Sequence, residues 1–171
     1  MDEIPAKVAY PSNLVVIGTI NMDETTHGLS DKVLDRASVI EFWDIDINAW
    51  PGWRACDLPD EQREQLKQVL RELIAALAPV RLHFGWRTIG DVLGYVRATR
   101  DGGAIAFDDA LDQAVYAKVL PKLRGEDSAP LRKAFQAALD VLKQHALPQS
   151  AAKLEQLSGE LTALGIARFW R

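Results

Sequence analysis

Hydrophobic residues are arranged differently in the first part of the chain and in the remainder. The first part holds an unbroken run of apolar or small residues at positions 14–18, a polar segment, and a second segment at positions 38–43 in which four of six residues are apolar. A short apolar run bounded by Pro11 and by polar residues is typical of a strand buried on both faces of a parallel sheet. We therefore expect a buried strand at the first run and a second strand at residues 38–43, separated by a short helix that Ser30 or Asp31 caps.

Beyond residue 59, apolar residues recur every three or four positions, as they do on the buried face of a helix. This period predicts a series of helices that start near Asp57, Thr88, Asp108, Pro130 and Ser150. We expect the Asp57 side chain to cap the first of them. The spacing of Thr88 and of the acid three residues later predicts a capping box at the start of the second.

The pattern divides the chain into three segments. Residues 1–45 carry the two strands and the short helix, residues 46–59 form a connector, and residues 60–171 form a helical domain. The connector holds Trp50 and Trp53 on either side of a Pro-Gly pair, which predicts a loop held by packed aromatic rings. The predicted fold class is an α/β remnant followed by an all-α domain.

Four segments carry a resemblance to a known family. In chain order they are GTINMDETTHGLSDKVLDRA (18–37), HFGWRTIGDVLGYV (83–96), VLPKLRGE (119–126) and SAAKLEQLSGELTALGIARFW (150–170). They resemble the carboxyl-terminal part of AAA+ nucleotide hydrolases, and among these the McrB-like NTPases of modified-cytosine restriction systems. The resemblance implies that the first segment is the sensor 1 strand and arginine-finger helix. It implies that the second is the sensor 2 region, at the start of a helical lid.

Two motifs of a complete motor are absent from this sequence. No GxxxxGK[ST] phosphate loop occurs, and no apolar strand ending in paired acids, the Walker B motif, precedes Leu14. We therefore expect the chain to be the carboxyl-terminal portion of such a motor, without the Walker A and Walker B region. Because nothing in it cradles a β-phosphate or holds magnesium, we expect it to be inactive alone.

The resemblance assigns catalytic or nucleotide-binding roles to polar residues that follow the first apolar run. Asn21 is implied to be the sensor 1 residue, and an amide that both donates and accepts hydrogen bonds suits the positioning of water beside a γ-phosphate. Asp23 and Glu24 follow it, and either could be the acid that many relatives carry near the nucleotide. From spacing alone, Asn21 could equally be a strand-end residue that starts a turn.

Two arginines complete the implied site. Arg36 is implied to be the arginine finger, which acts on nucleotide bound by a neighbouring subunit because a guanidinium neutralises charge that develops on a transferring phosphoryl group. Arg87 is implied to be the sensor 2 arginine, which contacts the γ-phosphate within its own subunit. Arg81 is a less favoured substitute for Arg87.

The resemblance also implies cofactors and partners. GTP or ATP with Mg²⁺ would be bound only in the complete motor, and none by this chain alone. The implied partners are neighbouring AAA+ subunits in a ring and a nuclease subunit, with DNA engaged indirectly.

The sequence is also compatible with two other functions. The first is a stand-alone helical protein-binding adaptor, derived from an AAA+ lid and without catalysis. The second is a nucleic-acid-binding module built on a set of basic residues in the helical domain: Arg97, Arg100, Lys118, Lys122 and Arg124.

Composition limits the cell compartment and the kinds of binding site that we expect for this protein. The chain has 171 residues and a formal net charge of -4, which argues against a basic surface over the whole molecule. Cys56 is the single cysteine, so an internal disulfide is impossible, and the three histidines lack metal-ligand spacing. With no signal-peptide pattern and no long apolar run, we expect a cytoplasmic protein without a membrane partner or a metal site.

Overall fold

The computed structural model of the protein describes residues 11–19, 29–41, 44–103 and 105–170. The chain forms two units, Met1–Glu41 and Phe42–Arg171. The second unit contains most of the regular secondary structure of the described residues.

The described residues of the first unit contain one short helix, α1 (Asp31–Leu34). Ser30 is its N-cap residue by position, although the Ser30 side chain makes no capping hydrogen bond. The short helix expected from the sequence is therefore confirmed, while side-chain capping by Ser30 is not.

The two strands expected on either side of this helix are not present in the described residues. Residues 13–19 and 38–41 have no strand structure, and their apolar side chains are exposed: Leu14, Val15, Val16, Ile17, Val39 and Ile40. Val16 and Ile17 are 82% and 87% exposed. The prediction of buried strands is wrong for these residues, because an extended segment gains its hydrogen bonds and its burial only from neighbouring strands.

The second unit is largely α-helical, as the sequence predicts for this part of the chain. Its long helices are α2 (Asp60–Leu77), α3 (Trp86–Asp101), α4 (Phe107–Lys118), α5 (Ala129–Gln144) and α6 (Pro148–Leu164). Short 3-10 turns occupy Pro51–Ala55, Ala78–Val80 and Leu120–Lys122. Two short strands, β1 (Gly125–Glu126) and β2 (Ile166–Ala167), pair in antiparallel fashion, with Gly125 opposite Ala167.

The helices enclose one core. Packing places α4 between α3 and α6, and α5 between α6 and α2. The stripe of apolar residues expected on α2 is the face that packs into this core, and its fully buried members are Leu66, Val69, Leu70, Leu73 and Leu77. Burying large aliphatic side chains of this kind stabilises a domain by roughly 1.5–3 kcal/mol each relative to exposure. The hydrophobic period thus predicts the core face of α2 correctly.

Two predicted helix caps are wrong. The N-cap residue of α2 is Pro59, and the carboxylate of Asp57 instead contacts arginines of α3. Helix α3 starts at Trp86 with Gly85 as N-cap residue, so Thr88 lies inside the first turn and is only 5% exposed. A capping side chain must belong to a residue outside the helix, which Thr88 is not.

Aromatic side chains hold the connector against the helices. Trp53 Nε1 donates a hydrogen bond to the Ile47 carbonyl oxygen at 2.5 Å, and the Trp50 and Trp53 rings meet edge to face with centroids 4.9 Å apart. Trp50 passes so close to Gly52 that a Cβ atom there would lie 2.3 Å from the indole ring. Glycine is therefore the residue that this close approach permits.

Candidate functional site

Three of the residues that the resemblance singles out, Asn21, Asp23 and Glu24, lie outside the described residues. The other two lie in different units. Arg36 belongs to the first unit, just after α1, and Arg87 belongs to the second, in the first turn of α3.

Arg36 follows directly on the short helix. Its backbone N–H donates to the carbonyl oxygen of Val33 at 3.1 Å, which extends the last turn of α1 by one hydrogen bond. The side chain of Arg36 is exposed. Its guanidinium group is thus accessible for contact with a ligand or another chain.

Arg87 is exposed although the two residues that follow it are buried. Thr88 is 5% exposed and Ile89 is fully buried, so the first turn of α3 is fixed to the core on one face. Next to it, Trp86 Nε1 donates to the carbonyl oxygen of Asp46 at 3.1 Å, which ties the same turn to the connector. The Arg87 side chain therefore extends to solvent from a rigidly placed backbone.

Arg97 and Arg100, which were candidates for nucleic-acid contact, share one acidic partner. Arg97 Nε lies 2.8 Å from Asp57 Oδ1, and Arg100 Nη2 lies 2.8 Å from Asp57 Oδ2. Arg100 also donates to the Asp57 carbonyl oxygen at 3.0 Å and pairs with Asp101 at 2.7 Å. These contacts neutralise much of the charge of both arginines, so they are poor phosphate ligands as placed.

The hydrogen bond from Arg100 is the main reason that the pKa of Asp57 lies below its ordinary value of 3.8. A carboxyl whose pKa is lowered by folding stabilises the folded state above its unfolded-state pKa, and this contribution is lost as the pH falls through the folded-state pKa. The pair is exposed, so its effect at neutral pH is small.

Replacing Asp57 by asparagine should therefore lower Tm by about 1–2 °C at pH 7. The difference should shrink as the pH falls below 3.8 and vanish once the pH is below the folded-state pKa of Asp57. Thermal melts of both proteins from pH 7 downward measure this. Asp91→Asn, at an exposed position of α3, is the control and should show no such trend. A difference that persists at low pH would show that Asp57 acts through packing and not through its charge.

One buried polar residue with a structural role was not predicted from the sequence. Asp112 of α4 is 2% exposed and caps α6: its Oδ2 accepts from the Gln149 N–H at 2.7 Å and its Oδ1 from the Ser150 N–H at 2.9 Å. Ser150 Oγ donates back to the Asp112 carbonyl oxygen at 3.0 Å. The signal was an acid placed between Leu111 and Val115 on the apolar face of a helix, where a charge requires partners.

Metal-binding groups and membrane-spanning helices can be assessed for the described residues. Among them there is no group of three or more His, Cys, Asp or Glu side chains placed to bind a metal ion. Within the same ranges, no helix combines the length and the apolar character that crossing a membrane requires.

Comparison with known proteins places the helical unit in a family. A family model described as a domain of unknown function, DUF8727, matches residues 44–166. This range contains the connector and the helices α2 to α6, and therefore Arg87, but it excludes α1 and Arg36. Neither the curated proteins nor the solved structures contain a match. Because the matched range covers most of the sequence, the chain belongs to the DUF8727 family.

Proposed function

We propose that this chain is the sensor 1, arginine-finger and lid portion of a McrB-like AAA+ nucleotide hydrolase. In the complete motor, the helical unit would be the lid over GTP or ATP with Mg²⁺. Subunits would assemble in a ring, and nucleotide hydrolysis would drive a nuclease partner on DNA. The chain alone would not hydrolyse nucleotide.

The placement of Arg87 carries this proposal. A lid that senses nucleotide needs a cation on a backbone fixed to the lid core, with its side chain directed outside the lid. Arg87 meets both requirements, since Thr88 and Ile89 anchor its helical turn while Arg87 itself is exposed. Arginine suits the role because its planar guanidinium donates two parallel hydrogen bonds to a phosphate.

The remaining residues of the implied site have complementary roles. Arg36, exposed after α1, would reach the nucleotide of a neighbouring subunit and stabilise the charge of the transition state. Asn21 would orient the attacking water, with Asp23 or Glu24 beside it. In the complete motor, the bound nucleotide would supply the phosphoryl group, and Mg²⁺ would neutralise charge on it.

The exposed apolar residues of the first unit support the same proposal. Val15, Val16 and Ile17 are each more than 75% exposed, and Ile40 is 76% exposed. Exposed runs of β-branched residues are typical of strands that pair with another chain. In the complete motor these segments would pair with the strand that carries the phosphate loop.

Complementation tests the proposal. We expect the full chain, mixed with the amino-terminal core of a McrB-like NTPase that carries the phosphate loop and the Walker B strand, to restore phosphate release from GTP or ATP. Neither part should be active alone. Two proteins that co-elute as a complex but release no phosphate with either nucleotide would contradict the proposal.

A second function, the stand-alone helical adaptor, is favoured by the closed core of the helical unit. Buried residues from Ile47 to Phe169 form one hydrophobic cluster, so this unit needs no motor core to complete it. An adaptor would bind a protein partner tightly, and its affinity would be the same with and without nucleotide. A motor lid would show an affinity for its core that changes with nucleotide.

A further inference from the structure

A large aromatic side chain lies on the surface of the helical unit, after β2. Trp170 is 75% exposed, although its neighbour in sequence, Phe169, is 7% exposed and belongs to the hydrophobic core. The other tryptophans that the structure describes, Trp50, Trp53 and Trp86, are less exposed. Indole rings gain much free energy when they are covered, so this exposed ring is a candidate contact for a ligand or a partner.

The Trp170 ring is supported by two further aromatic rings. It meets the Phe169 ring edge to face with centroids 4.6 Å apart, and Phe169 meets the Tyr116 ring of α4 in the same way at 5.5 Å. The pairing of β2 with β1 fixes the backbone just before Phe169 and Trp170. Together, Tyr116, Phe169 and Trp170 form an aromatic row. A ring held in this way loses little conformational entropy when a ligand covers its exposed surface.

Two cations adjoin the aromatic row. The ammonium group of Lys153, on α6, lies 4.9 Å from the centroid of the Phe169 ring. Its Nζ also donates to Gln156 Oε1 at 3.3 Å, and Gln156 in turn donates to Glu160 Oε1 at 2.9 Å, so a neutral amide separates the two charges. Arg168 directly precedes Phe169, its side chain is exposed, and it has no ion-pair partner among the described residues. In a chain with a net charge of -4, the row thus has positive charge beside it.

We propose that the aromatic row is a docking surface for a single strand of nucleic acid, with one base stacked on Trp170. Every base has a π face, and proteins that bind single strands without reading their sequence combine aromatic side chains with cations. Lys153 and Arg168 supply the positive charge that the phosphates next to the stacked base require. Protein interfaces have few charged residues at their centre, so two cations beside the exposed ring favour a polyanion over a protein partner.

This surface differs from the basic residues that the sequence suggested for nucleic-acid contact, of which Arg97 and Arg100 are bound to Asp57. It also goes beyond the proposed motor function, in which the chain engages DNA only indirectly. Its test uses the 171-residue chain without a motor core. Failure of complementation and failure of nucleic-acid binding are therefore separate results.

Replacing Trp170 by alanine should weaken the binding of a labelled oligo-dT of about 12 nucleotides about tenfold, because one base loses its stacking partner. Trp170→Phe keeps a ring and should recover part of this loss. Leu164→Ala, at an apolar position of α6 that is 65% exposed, is the control and should leave the affinity unchanged. Fluorescence anisotropy at low salt measures the affinities, and thermal melts show whether the variants fold.

The salt dependence of binding tests the charge separately from the ring. Arg168→Gln should weaken oligo-dT binding and make the slope of log K against log salt concentration shallower by about 0.7, the value for one phosphate contact on a single strand. Arg54→Gln removes an exposed charge from the connector and should change neither quantity. Trp170→Ala should lower the affinity without changing the slope, since stacking releases no counterions.

Three results would overturn the proposal. The first is an absence of oligo-dT binding by the unchanged chain at about 1 mM protein, well above the Kd of ordinary non-specific binding. The second is equal affinity of the unchanged chain, Trp170→Ala and Arg168→Gln, or equal affinity for oligo-dT and its duplex, in which the bases are enclosed. The third is a Trp170→Ala variant that binds oligo-dT normally but no longer forms a complex with the motor core, which would assign the aromatic row to a protein partner.

Discussion

Alanine in place of Arg36 should lower nucleotide hydrolysis by the complemented motor by about 10³-fold or more, the range over which arginine fingers act. The effect follows from the proposed role, in which this guanidinium neutralises charge that develops on the γ-phosphate bound by a neighbouring subunit. Because the Arg36 side chain is exposed and follows a helix of one turn, its removal leaves no core cavity. The stability of the chain should therefore be unchanged within about 0.5 kcal/mol.

Two controls make this result interpretable. Arg54→Ala removes an exposed arginine of the connector and should leave hydrolysis unchanged. Arg36→Lys keeps the charge without the planar fork and should recover only part of the activity. Phosphate release is measured at equal amounts of assembled complex, determined by size-exclusion chromatography. Full activity of the alanine variant in that complex would remove Arg36 from the mechanism.

Alanine in place of Asp112 should lower the free energy of unfolding by about 3 kcal/mol. The Asp112 carboxylate accepts from two backbone N–H groups in the first turn of α6, and that turn has no side-chain cap of its own. Alanine would leave both donors without their acceptor in a site that is 2% exposed in the folded protein. The penalty exceeds that of an ordinary surface cap, because water cannot easily replace the lost oxygen atoms.

Chemical denaturation followed by circular dichroism measures this change. Asp112→Asn keeps the shape but only one side-chain oxygen acceptor, so its loss should be smaller than that of Asp112→Ala. Asp140→Ala, at an exposed position of α5, should change stability by less than about 0.5 kcal/mol. A loss for Asp112→Ala no larger than that of Asp140→Ala would show that α6 does not depend on this cap.

The helical part of the fold could be predicted because its signals are local and repeated. On α5, Leu131, Phe135, Leu139 and Leu142 follow the spacing of one helix face, and all four are buried. The start of α5 could also be predicted, because Pro130 is a residue type favoured in a first helical turn, and it lies in that turn. In the structure, Ser128 Oγ accepts a hydrogen bond from the Leu131 N–H at 3.3 Å. Many neighbouring positions agree in such a pattern, so a single exception does not hide it.

The predictions of helix caps and strands were wrong because these features depend on contacts that residue spacing does not reveal. Asp57 has a suitable type and position for a cap, yet two arginines of α3, far along the chain, bind its carboxylate. The run at residues 14–18 has strand composition, but strand pairing is a property of the neighbour as much as of the segment itself. In both cases a distant partner decides the structure.

Individual polar residues also differ in whether local sequence could predict their role. Arg87 could be selected because a motif surrounds it, and the structure adds that its side chain is exposed on an anchored turn. The cap that Asp112 provides could not be predicted, since the two N–H groups that it accepts from belong to Gln149 and Ser150, on another helix.

The pairing of β1 with β2 has a consequence for how the helical unit opens. The two strands flank α5 and α6 in the sequence, so their hydrogen bonds close a long loop that contains both helices. The Asp127 N–H, which donates to the Gly165 carbonyl oxygen at 2.9 Å, adds to this closure. While the loop is closed, one helix can separate from the core only if the β1–β2 hydrogen bonds break or if the other helix separates as well. In native-state hydrogen exchange, the amides of α5 and α6 should therefore open as one cooperative block, not as two helices that fray independently.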